Sequence, residues 1–179
     1  MPASPSSSPS SSVPFDLATS SARSLRYPRG WSVVTASDGS FSMAAPGPFT
    51  LEPRGEDFWE LTTGGVFGPS FTIYVYERGL PDPSNLSLYS KGRLLSWAGS
   101  FGDPGVARRL RLGSGVGWRA PVREFHGHVG EAQVVIAHGV EISMSYLRDP
   151  HSGASALHAG RAFLDSLRMP AQIDVGGPS

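Results

Sequence analysis

The clearest regularity along the chain is an alternation of apolar and polar positions near its end. Val140, Ile142, Met144 and Tyr146 take turns with Glu141, Ser143 and Ser145, which is the period of a strand with one packed and one wet face. The packed face needs a cover. A closing helix supplies it, with Ala156, Gly160, Phe163, Leu164 and Leu167 on one stripe and Arg161, Asp165 and Arg168 outside it. Pro170 ends that helix.

The same reading extends upstream. Residues 122–129 and 131–137 read as two strands before the alternating one. Residues 31–36 and 41–45 form a hairpin around Ser37-Asp38-Gly39, because an Asp-Gly pair suits a tight turn. Residues 57–63 and 70–77 make a second pair around Gly64-Gly65 and Gly68-Pro69, and the later run is mostly β-branched and aromatic, as a central strand is. After Pro81-Asp82-Pro83, Ser84 is placed to cap a helix reaching about Ala98, with Leu88, Leu95 and either Leu94 or Ala98 on one side. Leu110 and Leu112 then alternate with Arg109 and Arg111 over residues 106–112, a strand with one wet face. The order strands, helix, strands, helix predicts an α+β fold: a mostly antiparallel β-sheet flanked by helices in an α/β/α sandwich. Residues 1–24 are Ser/Pro-rich and expected to be disordered, 25–169 a single domain, and 170–179 a loose tail.

Composition narrows the possibilities further. With 179 residues, one domain can bury roughly two thirds of its unfolded surface. There is no cysteine, so disulfides, thiolate metal sites and thiol nucleophiles are excluded. Fifteen basic and fifteen acidic residues cancel, leaving no net field to attract nucleic acid, which is not an expected partner. The start has no basic or apolar signal region and no stretch is apolar enough to span a membrane, so the chain as written reads as cytoplasmic. A Ser/Pro tail also suits the tether of an exported or lipid-anchored protein whose leader is missing from this chain.

Candidate chemistry is sparse. On a strand over 122–129, His126 and His128 share a face, and with Glu131 they read H-x-H-x-x-E. This resembles a contracted first metal motif of the cupins, which would make the chain a metal-dependent enzyme using His126, His128 and Glu131. The spacing to the glutamate is shorter than in cupins, and no second motif is recognisable around His138, His151 or His158. The loop of Gly113, Gly115 and Gly117 runs into a strand, not a helix N-terminus, and so is expected to be a connector. Arg108, Arg109, Arg111, Arg119 and Arg123 fall within sixteen residues that hold no acid. They suit either a solvated face or a patch that engages an acidic partner, with Arg109, Arg111 and Arg123 as the candidate contacts. Glu56, Asp57 and Glu60 are poorly placed for acid/base work, and no Gly-x-Ser-x-Gly elbow exists. No catalytic residues and no cofactor are expected.

Trp31, the run from Ser37 through Phe41 to Pro46, Val122-Arg-Glu-Phe125 with Gly127, the strands to Tyr146, and Phe163-Leu-Asp-Ser-Leu167 together resemble bacterial proteins of the PsbP-like sandwich fold. A Ran-binding nuclear import factor shares that fold. The resemblance implies an antiparallel sheet flanked by helices and an accessory or binding role, as in subunits of photosynthetic complexes, lipoproteins and secretion chaperones. The expected function is a non-enzymatic accessory protein that engages a protein partner through a sheet face or a helix-sheet groove. A small-molecule or lipid binder, using a groove between the last helix and the sheet, is the other alternative.

Overall fold

A computed structural model of the chain describes residues 17–21, 27–28, 30–36, 39–47, 50–55, 58–63, 70–77, 85–137 and 139–169. The first strands, β1 (Leu17–Ser21), β2 (Trp31–Ala36) and β3 (Ser42–Pro46), form a small antiparallel sheet in that order. The hairpin expected between β2 and β3 is present. Gly39 adopts a φ of 72° and its N–H donates to the Ala36 carbonyl at 2.9 Å, the left-handed conformation that glycine accepts without strain. β1 lies inside the segment expected to be disordered; its backbone pairs with β2 from Leu17 opposite Ala36 to Ser21 opposite Ser32. A ladder partner satisfies backbone groups that the composition of a tail gives no sign of. Residues 1–16, 22–24 and 170–179 of the expected tails lie outside the described residues.

The remaining strands are β4 (Thr50–Gly55), β5 (Phe58–Thr63), β6 (Ser70–Glu77), β7 (Gly102–Pro104), β8 (Arg108–Leu112), β9 (Gly115–Glu124), β10 (Val129–Ala137) and β11 (Val140–Arg148). They form one antiparallel sheet in the order β4-β5-β6-β11-β10-β9-β7, with β8 also paired to β9. One helix, α1 (Leu86–Gly99), packs on one face; the other, α2 (Ala154–Leu164), packs with the small sheet on the opposite face. This is the α+β sandwich that the order of elements predicts.

On the α2 side, Phe41 and Met43 meet Ile73, Ile142, Met144 and Tyr146 under Phe163, Leu164 and Leu167, all nearly inaccessible. The Phe163 ring packs edge-on to Phe71 with centroids 5.1 Å apart. Gly160 has to be glycine, since a Cβ there would collide with the Tyr146 ring. On the α1 side, Leu94 and Ala98 close over Ala120, Val122, Ala132, Val134 and Ile136.

Two expectations are corrected here. The alternation over 140–146 does not mark a wet face: Glu141, Ser143 and Ser145 are only 1%, 1% and 5% exposed. The polar face is covered from the α1 side, and the Glu141 charge is met by Arg93, whose Nε lies 3.0 Å from both carboxylate oxygens and Nη2 2.8 Å from Oε1. Hydrogen bonding to Glu141 outweighs partial burial and holds the guanidinium more firmly protonated. Second, Leu88 and Leu95 point outward at 74% and 37% exposure, while Ser90, Leu94 and Ala98 are buried. The face that turns inward also brings Tyr89 and Trp97 against the sheet and Arg93 to Glu141. Those contacts outweigh the burial of two leucines. Ser84 lies outside the described residues, and Asn85 occupies the N-cap position without a side-chain capping bond.

The geometry of this ion pair predicts an asymmetry. Arg93→Ala leaves Glu141 charged and buried, and should cost about 3 kcal/mol in urea unfolding at pH 7. Glu141→Gln leaves an arginine that can reach water and should cost on the order of 1–2 kcal/mol. The double replacement Arg93→Met/Glu141→Leu should recover most of the loss.

Candidate functional site

The register of the large sheet sets which side chains share the α1 face. Glu141 lies opposite Tyr76, Ser143 opposite Tyr74 and Ser145 opposite Thr72. Across the other edge of β11, the same three pair with Ile136, Val134 and Ala132. That face is therefore divided. Its β9–β10 half is apolar and lies under α1, whereas its β6 side carries hydroxyls and tyrosines and is continued on β5 by Glu60 opposite Tyr74 and Thr62 opposite Thr72. α1 packs mainly on β9 and β10 and reaches β6 through Trp97 against Tyr74 and Arg93 over the Tyr76 ring.

A groove of about 280 Å³ lies at the step between the two halves, lined by Thr72, Tyr74, Trp97, Ser100, Phe101, Ser145 and Leu147. Trp97 forms its aromatic wall, perpendicular to Tyr74 at 5.8 Å between centroids and edge-on to Phe101 at 5.4 Å. The Tyr74 hydroxyl donates to Glu60 Oε1 at 3.2 Å, which holds the ring toward β5. Ser100 Oγ donates to the Trp97 carbonyl at 2.6 Å and closes the end of α1. Aromatic walls over a hydroxyl floor suit an apolar side chain that carries neighbouring backbone amides.

A larger cleft, about 480 Å³, runs between the β2–β3 turn, the β8–β9 turn and residues 167–169. Residues 37–38 and 170 onward, the sequence neighbours of its lining, lie outside the described residues. The interface between α2 and the sheet, expected as an alternative ligand groove, is filled by Phe163, Leu164 and the Tyr146 ring.

The arginines do not form one patch. Arg109 pairs with Trp118 across β8 and β9, placing it on the α1 side, and Arg111 pairs with Val116. Arg123 is opposite Asp103 and Val129; strand parity puts it on the other face from Trp118. Arg119 is buried. Its Nε and Nη2 donate to Gln133 Oε1 at 3.0 and 2.6 Å, and Nη2 also lies 2.8 Å from Asp165 Oδ1. Gln133 in turn donates to the Leu164 carbonyl at 3.0 Å. The group thus ties α2 to the sheet.

The candidate metal ligands are likewise separated. β9 ends at Glu124, so His126 and His128 stand in the β9–β10 turn and not on a strand face. Gly127, with φ of 96°, reverses the chain there. Both histidines turn to Glu124: His128 Nδ1 is 3.1 Å from Oε2, His126 Nε2 is 3.8 Å from Oε1, and the His126 backbone N–H donates to Oε2 at 2.9 Å. Glu131 points instead to Arg119 Nη1 and Arg108 Nη2, each at 3.8 Å. Among the described residues, no three His, Asp or Glu side chains converge as a metal would require. His138 lies outside the described residues. Near Glu131, burial pushes the Tyr146 hydroxyl pKa up and the glutamate charge adds to it.

Sequence reasoning missed Thr72, Tyr74, Trp97, Ser145 and Glu124, and it read Arg119 as part of a solvated face or partner patch where the side chain is buried. The only signal for the strand residues was polar residues at the alternate positions of strands otherwise fit for a core. The first loop expected as a connector is shorter than it reads: only Gly113 and Ser114 turn, while Gly115 and Gly117 belong to β9.

The Glu124 turn carries a pH signature. Burial raises its carboxyl, but hydrogen bonds from the His128 side chain and the His126 backbone outweigh it and hold the pKa below the usual glutamate value. A lowered folded-state pKa stabilises above the unfolded pKa and is lost as pH falls through the folded one. Glu124→Gln should therefore lower the urea midpoint at pH 7 and at about pH 5, and the difference from the parent should vanish by about pH 2.

No family model matches the chain, and no curated protein does. Among solved structures, the chain is similar to the solution structure of cyanobacterial PsbP (CyanoP) from Synechocystis sp. PCC 6803, with a TM-score of 0.55 at 8% identity over 78% of this chain and 92% of that one. A crystal structure from Bacteroides thetaiotaomicron VPI-5482 aligns with a TM-score of 0.39 at 14% identity, over 75% of this chain and 46% of that one. The first likeness shows a PsbP-like fold. Among the described residues, no helix is long and apolar enough to cross a membrane.

Proposed function

We propose that this chain is a non-enzymatic binding protein that holds a segment of a protein partner in the groove between α1 and the open half of the large sheet. The observation that carries this reading is the step itself: a helix covering half of a sheet face, with aromatic rings and hydroxyls along the boundary. None of the groove's described lining residues is a histidine, carboxylate, lysine or arginine, so these residues offer contact and hydrogen bonding without an acid/base pair. Its volume, about 280 Å³, falls just below the roughly 300–1,000 Å³ of pockets that engulf a drug-sized molecule. A groove of that size can seat one anchoring side chain of a longer segment. The resemblance to PsbP-like accessory proteins supports the same reading.

Thr72→Lys places a charged stem on the groove floor without entering the core, and Tyr74→Ala removes part of its wall. In quantitative capture from the host extract at low and moderate salt, the parent chain should retain a partner that both variants lose, and Arg123→Ala, on the other face, should retain it. Affinity for that purified partner should fall at least about tenfold with either groove variant. A partner held equally by all four chains, or none held by the parent, would sink the proposal.

A further inference from the structure

The outer face of α1 is unusual for a surface helix. Its exposed residues are Asn85, Leu88, Gly92, Leu95, Ser96, Gly99 and the following Ser100, none of them charged. A single exposed leucine is ordinary. Here Leu88 and Leu95 stand two turns apart on the same stripe as Gly92 and Gly99, and a Cβ built at either glycine meets nothing within 4 Å. The stripe thus alternates knob and notch. Its order, Leu88, Gly92, Leu95, Gly99, has spacings of four, three and four residues, which read the same in both directions while leucine and glycine exchange places.

An antiparallel copy of the same helix satisfies this pattern at every position. A twofold axis over the middle of α1 sets Leu88 against Gly99 of the second copy and Leu95 against its Gly92. Each leucine then fills a gap that lets the two helix backbones approach closely. Charge supports the same occupant. The first turn of α1 holds no acid, the last turn holds no base, and Asn85 makes no side-chain capping bond, so the ends of the helix dipole have no charged side chain of their own element to meet them. Antiparallel pairing brings each positive end beside a negative end. Lys91, on the same helix, lies 5.0 Å over the Trp118 ring and is drawn toward the sheet.

We propose that α1 is a self-association face, pairing two copies of the chain antiparallel through Leu88, Gly92, Leu95 and Gly99. A helix of 14 residues is about 21 Å long, and such a contact is smaller than the roughly 800 Å² per partner of a standard interface. The association is therefore reversible and depends on concentration. Leu88, Gly92, Leu95 and Gly99 are not among the groove's lining residues, although Ser100, which follows Gly99, is.

Sedimentation equilibrium of the full chain from about 10 μM to 1 mM should show the mass rising from that of one chain toward two. Gly92→Leu/Gly99→Leu fills both notches at positions with open space; dimerisation should weaken at least tenfold while the melting temperature does not fall. The register has its own check, since the chain has no cysteine. A mixture of Leu88→Cys and Gly99→Cys chains should form a mixed disulfide on mild oxidation, whereas Leu88→Cys alone should not, because its two copies would lie about 16 Å apart along the paired helices. A parent chain that stays monomeric throughout, an association unchanged by filling the notches, or an efficient Leu88→Cys homodimer would each overturn the proposal.

Discussion

Everything in this fold is arranged around a β10–β11 hairpin whose two faces are both buried. A strand buried on both sides has no wet face on which to leave a polar group, so each polar group it carries must find a partner inside the protein. Gln133 meets Arg119 on one face and Glu141 meets Arg93 on the other. These bonds also fix the helices: Gln133 reaches the Leu164 carbonyl at the end of α2, and Arg93 belongs to α1. Leaving such a charge unpaired would cost several kcal/mol, more than a modest helix displacement recovers in apolar contact. The helices are held where their polar partners require.

The groove follows from that placement. α1 lies close enough to β11 for Arg93 to reach Glu141, and its apolar residues settle over β9 and β10. Toward β6 the cover thins to Trp97 against Tyr74 and Arg93 over Tyr76, and Trp97 ends up at the border. The groove arises here as the remainder of a packing solution. The ion pair sets its width.

Much of the architecture was legible in the sequence because local rules agreed with the tertiary outcome. The β2–β3 hairpin, the stripe of α2 as far as Leu164 and the period of two over 140–146 each depend on a few neighbouring residues, and each formed; the helix stops at Leu164, short of Leu167 and of the end expected at Pro170. Where long-range packing competed, the local reading failed. Nothing near Glu141 reveals that an arginine 48 residues earlier will neutralise it, so the polar positions of β11 read as wet. In α1, leucine count pointed to one face, while Tyr89, Trp97 and Arg93 together chose another. The site was less legible than the fold. Its residues come from β6, the end of α1 and β11, with no shared motif, and the arginine cluster was split by strand parity once the true end of β9 at Glu124 was known.

The small sheet is stitched to the far end of the described chain. Ser42 and Arg168 exchange backbone hydrogen bonds at 3.0 and 2.8 Å, and the Ser166 hydroxyl both donates to and accepts from the Ala44 backbone across 122 residues of sequence. During synthesis, β2 and β3 leave the ribosome long before the segment that covers them. Until it arrives, Val34, Phe41 and Met43 lack their native cover from Phe163, Leu164 and Leu167. The nascent hairpin is then a sticky intermediate, and the interval before the last turns of α2 emerge is when this chain most needs protection from its neighbours.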